Sequence, residues 1–203
     1  VIIELAGLPG SGKSTIARHL VQGAAPIPSL VVAPSFVALL GGTHNTVTIW
    51  DALRPGPAWA AWLSLCARRA AQSALDGARD GTLLLEEGIV HHVWRSRFMR
   101  PGLDWRPWDS LLDATTPLVV LVAPQALRHQ RVSGKSSGGP VNRQLALAAP
   151  GDATWQRAEQ LMEEIVAAAG KSREVWTVST DGEVAEAVGR VRGVVKELVA
   201  AGG

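Results

Sequence analysis

"ELAGLPGSGKST", residues 4–15, places three glycines and a lysine in a run with little side-chain chemistry of its own. Gly7 to Ser14 satisfies G-x-x-x-x-G-K-[ST] at every required position. The flanks match the pattern's required context. Val1 to Ala6 (VIIELA) is short, branched and apolar and reads as a buried strand, and Lys13 to Gln22 reads as a helix opening at the glycine turn. Glycines let the backbone fold into a concave nest whose N–H groups converge on one anion. Free amides at a helix start add partial positive charge. Lys13 can reach the β- and γ-phosphates of a nucleoside triphosphate, and the Ser14 hydroxyl can ligate Mg²⁺. A dinucleotide fingerprint is excluded, because G-x-G-x-x-G would need glycine at Thr15 and would leave Lys13 unexplained. The candidate nucleotide-binding residues are therefore Gly7, Pro9, Gly10, Ser11, Gly12, Lys13, Ser14 and Thr15.

Outward from this turn, further strands are expected at Leu30–Ala33, Thr82–Leu85, Pro117–Ala123 and Val175–Ser179. Helices are expected at Pro57–Asp80, Val90–Met99, Trp108–Ala114, from Gln125 to about Val132, at Thr154–Ala169 and at Glu183–Ala200. Ser133 to Pro140 (SGKSSGGP) reads as a flexible, positively charged loop. Strands alternating with helices predict an α/β domain with a mainly parallel sheet covered on both faces. No internal repeat or interdomain linker stands out, so residues 1–203 read as a single domain.

Composition narrows the function. Nearly half of the 203 residues are apolar and 19% are charged, the balance of a globular protein. The formal net charge is only +2, which makes a nucleic-acid partner unlikely. Sixteen of the twenty basic residues are arginine, a bias suited to bidentate grip on phosphate or carboxylate. Cys66 stands alone, so neither an intramolecular disulfide nor a cysteine-based metal site is expected. No apolar run approaches a membrane span and no secretion leader is evident, so a cytoplasmic protein without membrane association is expected. Oligomeric state is not legible.

"LLLEEGIVHH", residues 83–92, sets two acids at the carboxyl end of a buried strand, the edge where open α/β sheets bind ligands. Neighbouring strand residues point to opposite sides, so one of Glu86 and Glu87 should face the phosphates. That acid could take an acceptor proton or orient a water on Mg²⁺. Position at the strand end favours Glu86. His91 and His92 lack metal-ligand spacing and read as helix-surface or substrate-pocket residues.

The P-loop and this order of elements resemble the P-loop kinases of the nucleoside and nucleotide kinase group, which includes adenylate, thymidylate and deoxynucleoside kinases. The resemblance implies a three-layer fold with a five-stranded, mainly parallel sheet, helices on both faces and a small lid over the phosphates. It implies ATP and Mg²⁺ as cofactors, with Ser14 and Glu86 on the metal. Glu87-Gly88 also resembles the Asp-Gly of adenylate kinases, which shifts the register of the acid by one residue. Arginine often adjoins the acid in these kinases, and Glu87 replaces it here. That departure favours a neutral hydroxyl acceptor, although Arg95, Arg97 and Arg100 could supply a grip. The resemblance puts lid arginines after the strongest strand, where "LRHQRVSGKSSGGPVNR" (127–143) carries Arg128, Arg131, Lys135 and Arg143. The first three recur at helical spacing and would share a face. Asp181, in Thr180-Asp181-Gly182, resembles the loop that brushes the nucleotide base. The implied layout has an acceptor-side helical segment at about 44–115 and a lid at about 128–150.

Lys13, Glu86, Glu87, Arg128 and Arg131 are thus the candidate catalytic residues, with Arg143 and Asp181 added to the nucleotide contacts. The expected partners are ATP and a small-molecule acceptor: a hydroxyl compound, nucleoside-like or another metabolite or antibiotic, ahead of a nucleoside monophosphate. Alternatives are a polynucleotide 5′-hydroxyl kinase, which the modest charge disfavours, and a non-catalytic ATP-binding regulatory module. Six of the eight tryptophans (50, 59, 62, 94, 105 and 108) fall in the middle segment, mostly as expected core residues.

Overall fold

The computed structural model describes residues 1–22, 27, 30–33, 81–102, 116–134 and 139–201. The expected helices at 57–80 and 108–114, five of the six middle-segment tryptophans and Lys135 lie outside the described residues.

Strand β1 (Ile2–Ala6) leads through the glycine turn into helix α1 (Lys13–Gln22), followed by β2 (Leu30–Ala33). Next come β3 (Thr82–Leu85), α2 (Ile89–Met99) and β4 (Leu118–Val122). Helices α3 (Gln125–Ser133), α4 (Pro140–Leu147) and α5 (Ala153–Ala169) precede β5 (Val175–Ser179) and the closing α6 (Val184–Ala201). The five strands run in the order β2-β3-β1-β4-β5, every pairing parallel. β1 is central, so its carboxyl end delivers the glycine turn to the point where the connections diverge to opposite halves of the sheet, the place where such sheets bind ligands.

Alternation along the strands builds a core on each face. Ile3 and Leu5 of β1, with Val119 and Leu121 of β4, pack under α1 and α6 against Ile16, Leu20, Val191 and Val195. Ala6, Leu118 and Val120 face the other way, against Val90, Trp94, Leu145, Trp155 and Ile165 of α2, α4 and α5. The result is the expected three-layer, parallel-sheet architecture. Among the described residues no helix is long and apolar enough to cross a membrane.

Residues 140–147, given to a lid without a helix of their own in the sequence reading, form α4, with Pro140 in its first turn and Val141 and Leu145 buried one turn apart. Proline suits that position because its fixed φ is already helical and its missing N–H would have had no helical partner.

Glu4 also departs from the apolar reading of β1. It is 2% exposed and belongs to the α2 face of the sheet. One carboxylate oxygen accepts from the Val90 N–H at 2.7 Å, and the other accepts from Arg173 Nη2 at 2.7 Å. Arg173 is further fixed by donating from Nε to the Thr116 carbonyl at 2.7 Å. Gly88 at the helix start supplies no capping side chain, so the strand carboxylate satisfies a first-turn amide instead. A Cβ on Gly88 would lie 2.2 Å from Glu4 Cδ. Gly88→Ala should therefore cost at least the ~1–3 kcal/mol of an overpacked core, measured as a lower urea midpoint at unchanged slope. A wild-type midpoint would refute this account of the glycine.

Candidate functional site

The cradle is held from behind. Gly10 has φ +82°, and an added Cβ would lie 2.5 Å from the Arg128 carbonyl, so only glycine lets the loop lie directly on α3. Gly7 and Gly12 share the positive-φ conformation at +143° and +96°. Lys13 Nζ donates to the Gly7 carbonyl at 2.7 Å and Thr180 Oγ1 to the Ser11 carbonyl at 2.7 Å. Arg131 donates from Nη1 to the Gly10 carbonyl at 3.1 Å and from Nη2 to the Thr180 carbonyl at 3.2 Å. Three loop carbonyls are thereby satisfied within the protein. The Ile16 N–H to Gly12 carbonyl bond, 2.9 Å, starts the helix whose N-terminus faces the site.

In front of the cradle lies a cavity of about 230 Å³. Its walls are Pro9, Gly10, Gly12, Lys13, Ser14 and Thr15; Glu87 with His91, Trp94 and Arg95 of α2; and Val132, Gly139, Val141 and Asn142 around the α3–α4 connection. Of the two glutamates, Glu87 lines this cavity and Glu86, favoured by the strand-end argument, does not. The physical reason is that β3 ends at Leu85, so strict strand alternation no longer governs the next two residues.

The side chains of the two α3 arginines go to different partners. Arg128 is buried, pairs with Glu159, and sets its guanidinium 5.4 Å from the Trp155 ring. It lines a second cavity of about 330 Å³, not the one in front of the cradle. Arg131 braces the loop from behind, as above. Arg143 is exposed and is not among the lining residues, whereas its neighbour Asn142 is. Asp181 is exposed, accepts from Ser179 Oγ, and lies 3.7 Å from Arg190; its neighbour Thr180 is the residue that touches the cradle. Of Arg95, Arg97 and Arg100, only Arg95 lines the cavity.

His91 was legible only as a generic pocket candidate. It is buried, its Nε2 lies 3.5 Å from Glu87 Oε1, and its ring is 5.5 Å from Trp94. Burial, reinforced by the Lys13, His92 and Arg95 charges, holds its imidazole well below the ordinary histidine value, offset in part by the Gly7 backbone. Burial, then the Arg95 charge, lowers His92 to about 4, against a partial opposing effect of the Glu87 backbone. Both rings are neutral at pH 7. The unfolded chain binds protons at these sites below pH 6.5 while the folded chain does not, so their stabilising contribution is complete above that pH and is lost as pH falls towards 4. His92 alone should lower the free energy of unfolding by about 2 kcal/mol between pH 7 and pH 5; His92→Gln should remove that share and leave the part due to His91. Urea titrations at the two pH values check this; an unchanged pH dependence in the variant would refute the assignment.

Sequence reasoning passed over Glu4, Arg173, Asn142 and the supporting role of Thr180. A charged residue inside an apolar strand was the available signal for Glu4. No local pattern marks the others.

Cradle, central strand and parallel sheet together define a P-loop kinase fold. The solved structures similar to this chain include a deoxyadenosine kinase and a thymidylate kinase. Deoxyadenosine kinase from M. mycoides with bound dCTP superposes with a TM-score of 0.55 at 12% identity, covering 97% of this chain and 100% of its own. Thymidylate kinase from Candida albicans superposes at 0.58 with 14% identity, covering 97% of this chain and 91% of its own. TT1252 from Thermus thermophilus superposes at 0.54 with 20% identity, covering 98% and 97%. No protein-family model and no curated protein matches the chain. At such identities the likeness establishes the fold, and activity has to be argued from the site.

Proposed function

We propose that this protein is an ATP- and Mg²⁺-dependent phosphotransferase that moves the γ-phosphoryl group to a hydroxyl of a small, nucleoside-like acceptor. The observation that carries the reading is the placement of Glu87 in the same cavity wall as Lys13 and Ser14. A cation for phosphate, a hydroxyl for metal and a carboxylate for a proton meet there.

The loop amides and Lys13 hold the triphosphate, and the Ser14 hydroxyl holds the metal. When bound, magnesium neutralises charge on the β- and γ-phosphates. Glu87 takes the acceptor's proton as the acceptor oxygen bonds to the γ-phosphorus and the bridging oxygen departs on ADP. Glu86 and Arg128 have no part in this scheme, because neither lines the cavity. His91, with the core residue Trp94 packed behind it, stands beside Glu87 in the cavity wall. The fold likeness to deoxyadenosine and thymidylate kinases supports a nucleoside or nucleotide acceptor.

A coupled assay for ADP release, run over nucleosides, nucleoside monophosphates, sugars and aminoglycosides, tests the proposal. Turnover with a nucleoside is the expected result. Turnover confined to monophosphates would replace the hydroxyl acceptor by a phosphate. ATP binding without ADP from any pool would make the chain a regulatory module.

A further inference from the structure

The cation that meets the transferring phosphoryl group should come from the helix after the central acids, not from the segment after β4. Charge on that group spreads over its equatorial oxygens in the transition state, so a guanidinium is needed within the cavity. The arginines after β4 are committed elsewhere. Arg128 is buried against Glu159 and Trp155 and lines the other cavity. Arg131 is held by its Nη1 bond to the Gly10 carbonyl and its Nη2 bond to the Thr180 carbonyl behind the loop. Arg143 is exposed and outside the lining.

Arg95 is differently placed. It lines the cavity together with Lys13, Ser14 and Glu87. Its Nη2 would lie 3.3 Å from a Cβ on Gly139, so the side chain reaches across the cavity from α2 to the start of α4. Its charge and that of Lys13 both depress the imidazole of His91, so both cations lie near that ring. A neutral His91 adds no third positive charge to the pair.

From this placement we infer that Arg95 is a catalytic residue that donates to the γ-phosphoryl oxygens during transfer. Resting on the phosphotransferase reading, the inference adds the group that stabilises the transition state. As the bond from the γ-phosphorus to the bridging oxygen breaks and that to the acceptor oxygen forms, Arg95 supplies N–H donors to the equatorial oxygens. The electron pair leaves with ADP, and the acceptor proton goes to Glu87.

The test needs no knowledge of the acceptor. Titration calorimetry measures Mg·ADP affinity with and without aluminium fluoride, a mimic of the planar phosphoryl group. Wild type should bind Mg·ADP more tightly when fluoroaluminate is present. Arg95→Met should lose about 10²-fold or more of that gain while keeping its affinity for Mg·ADP alone, and Arg95→Lys should restore part of it. Arg128→Met should keep the gain. An Arg95→Met protein that keeps the full gain, a wild type that binds Mg·ADP without any gain, or transfer of the loss to Arg128→Met overturns the inference and leaves the cradle standing. A wild type that binds no Mg·ADP overturns the phosphotransferase reading and this assignment with it.

Discussion

Lys13→Ala should lower phosphoryl transfer by about 10³-fold or more while leaving the protein folded. Lys13 is 8% exposed, and its Nζ sits 2.7 Å from the Gly7 carbonyl, pinned to the cradle before any ligand arrives. A pinned ammonium needs little reorganisation as negative charge shifts during transfer, and its work is electrostatic. The structural loss is small by comparison, one buried hydrogen bond worth about 1 kcal/mol. The two measurements therefore separate cleanly: thermal melting close to wild type, ADP release near background. Lys13→Arg should not rescue activity, because a broad planar guanidinium does not substitute for a compact ammonium in a site closed by glycine backbone. Turnover within tenfold of wild type in Lys13→Ala would end the nucleotide reading of the loop.

The second large effect concerns stability. Glu4→Leu strips the buried Arg173 guanidinium of its counter-charge and the first turn of α2 of its acceptor, as both depend on one carboxylate. Breaking a buried pair from one side costs about 3–5 kcal/mol. That is a large share of the ~5–15 kcal/mol that holds a domain together. The companion experiment is the double variant Glu4→Leu/Arg173→Met. With no charge left unpaired, it should recover a substantial part of the loss, and the cycle of urea midpoints gives the coupling directly. A Glu4→Leu protein less than about 1 kcal/mol below wild type would show that the pair does not matter to folding. The site should feel the change too, because Glu87, His91, Trp94 and Arg95 all ride on the segment whose start Glu4 anchors to the strand carrying the cradle.

The fold was legible because its signals are local. VIIELA, TLLL and LVVLV are short apolar runs of the length a buried strand takes, and the helices between them carry apolar residues at helical spacing. The helix at 140–147 escaped because the glycines and serines before it suggest a loop, and its two buried contacts, Val141 and Leu145, are too few to announce a period. The site was half legible. The glycines of the cradle act through backbone, and Lys13 and Ser14 act through side chains placed by their position within eight consecutive residues. The acid and the arginines act through side chains whose direction depends on what packs behind them. Arg128 and Arg131, three residues apart on one helix, go to Glu159 and to the carbonyls of Gly10 and Thr180 respectively.

The order of residues alone determined that a glycine-rich turn joins a strand to a helix, because the φ values of glycine and the opening of a helix are properties of neighbours in the chain. Only the tertiary structure decided which glutamate looks into the cavity, which arginine reaches it, and that Glu4 and Arg173, 169 positions apart, share one buried charge-assisted hydrogen bond beneath α2. Those outcomes depend on the packing of separate elements against one another, and no spacing within the chain encodes them.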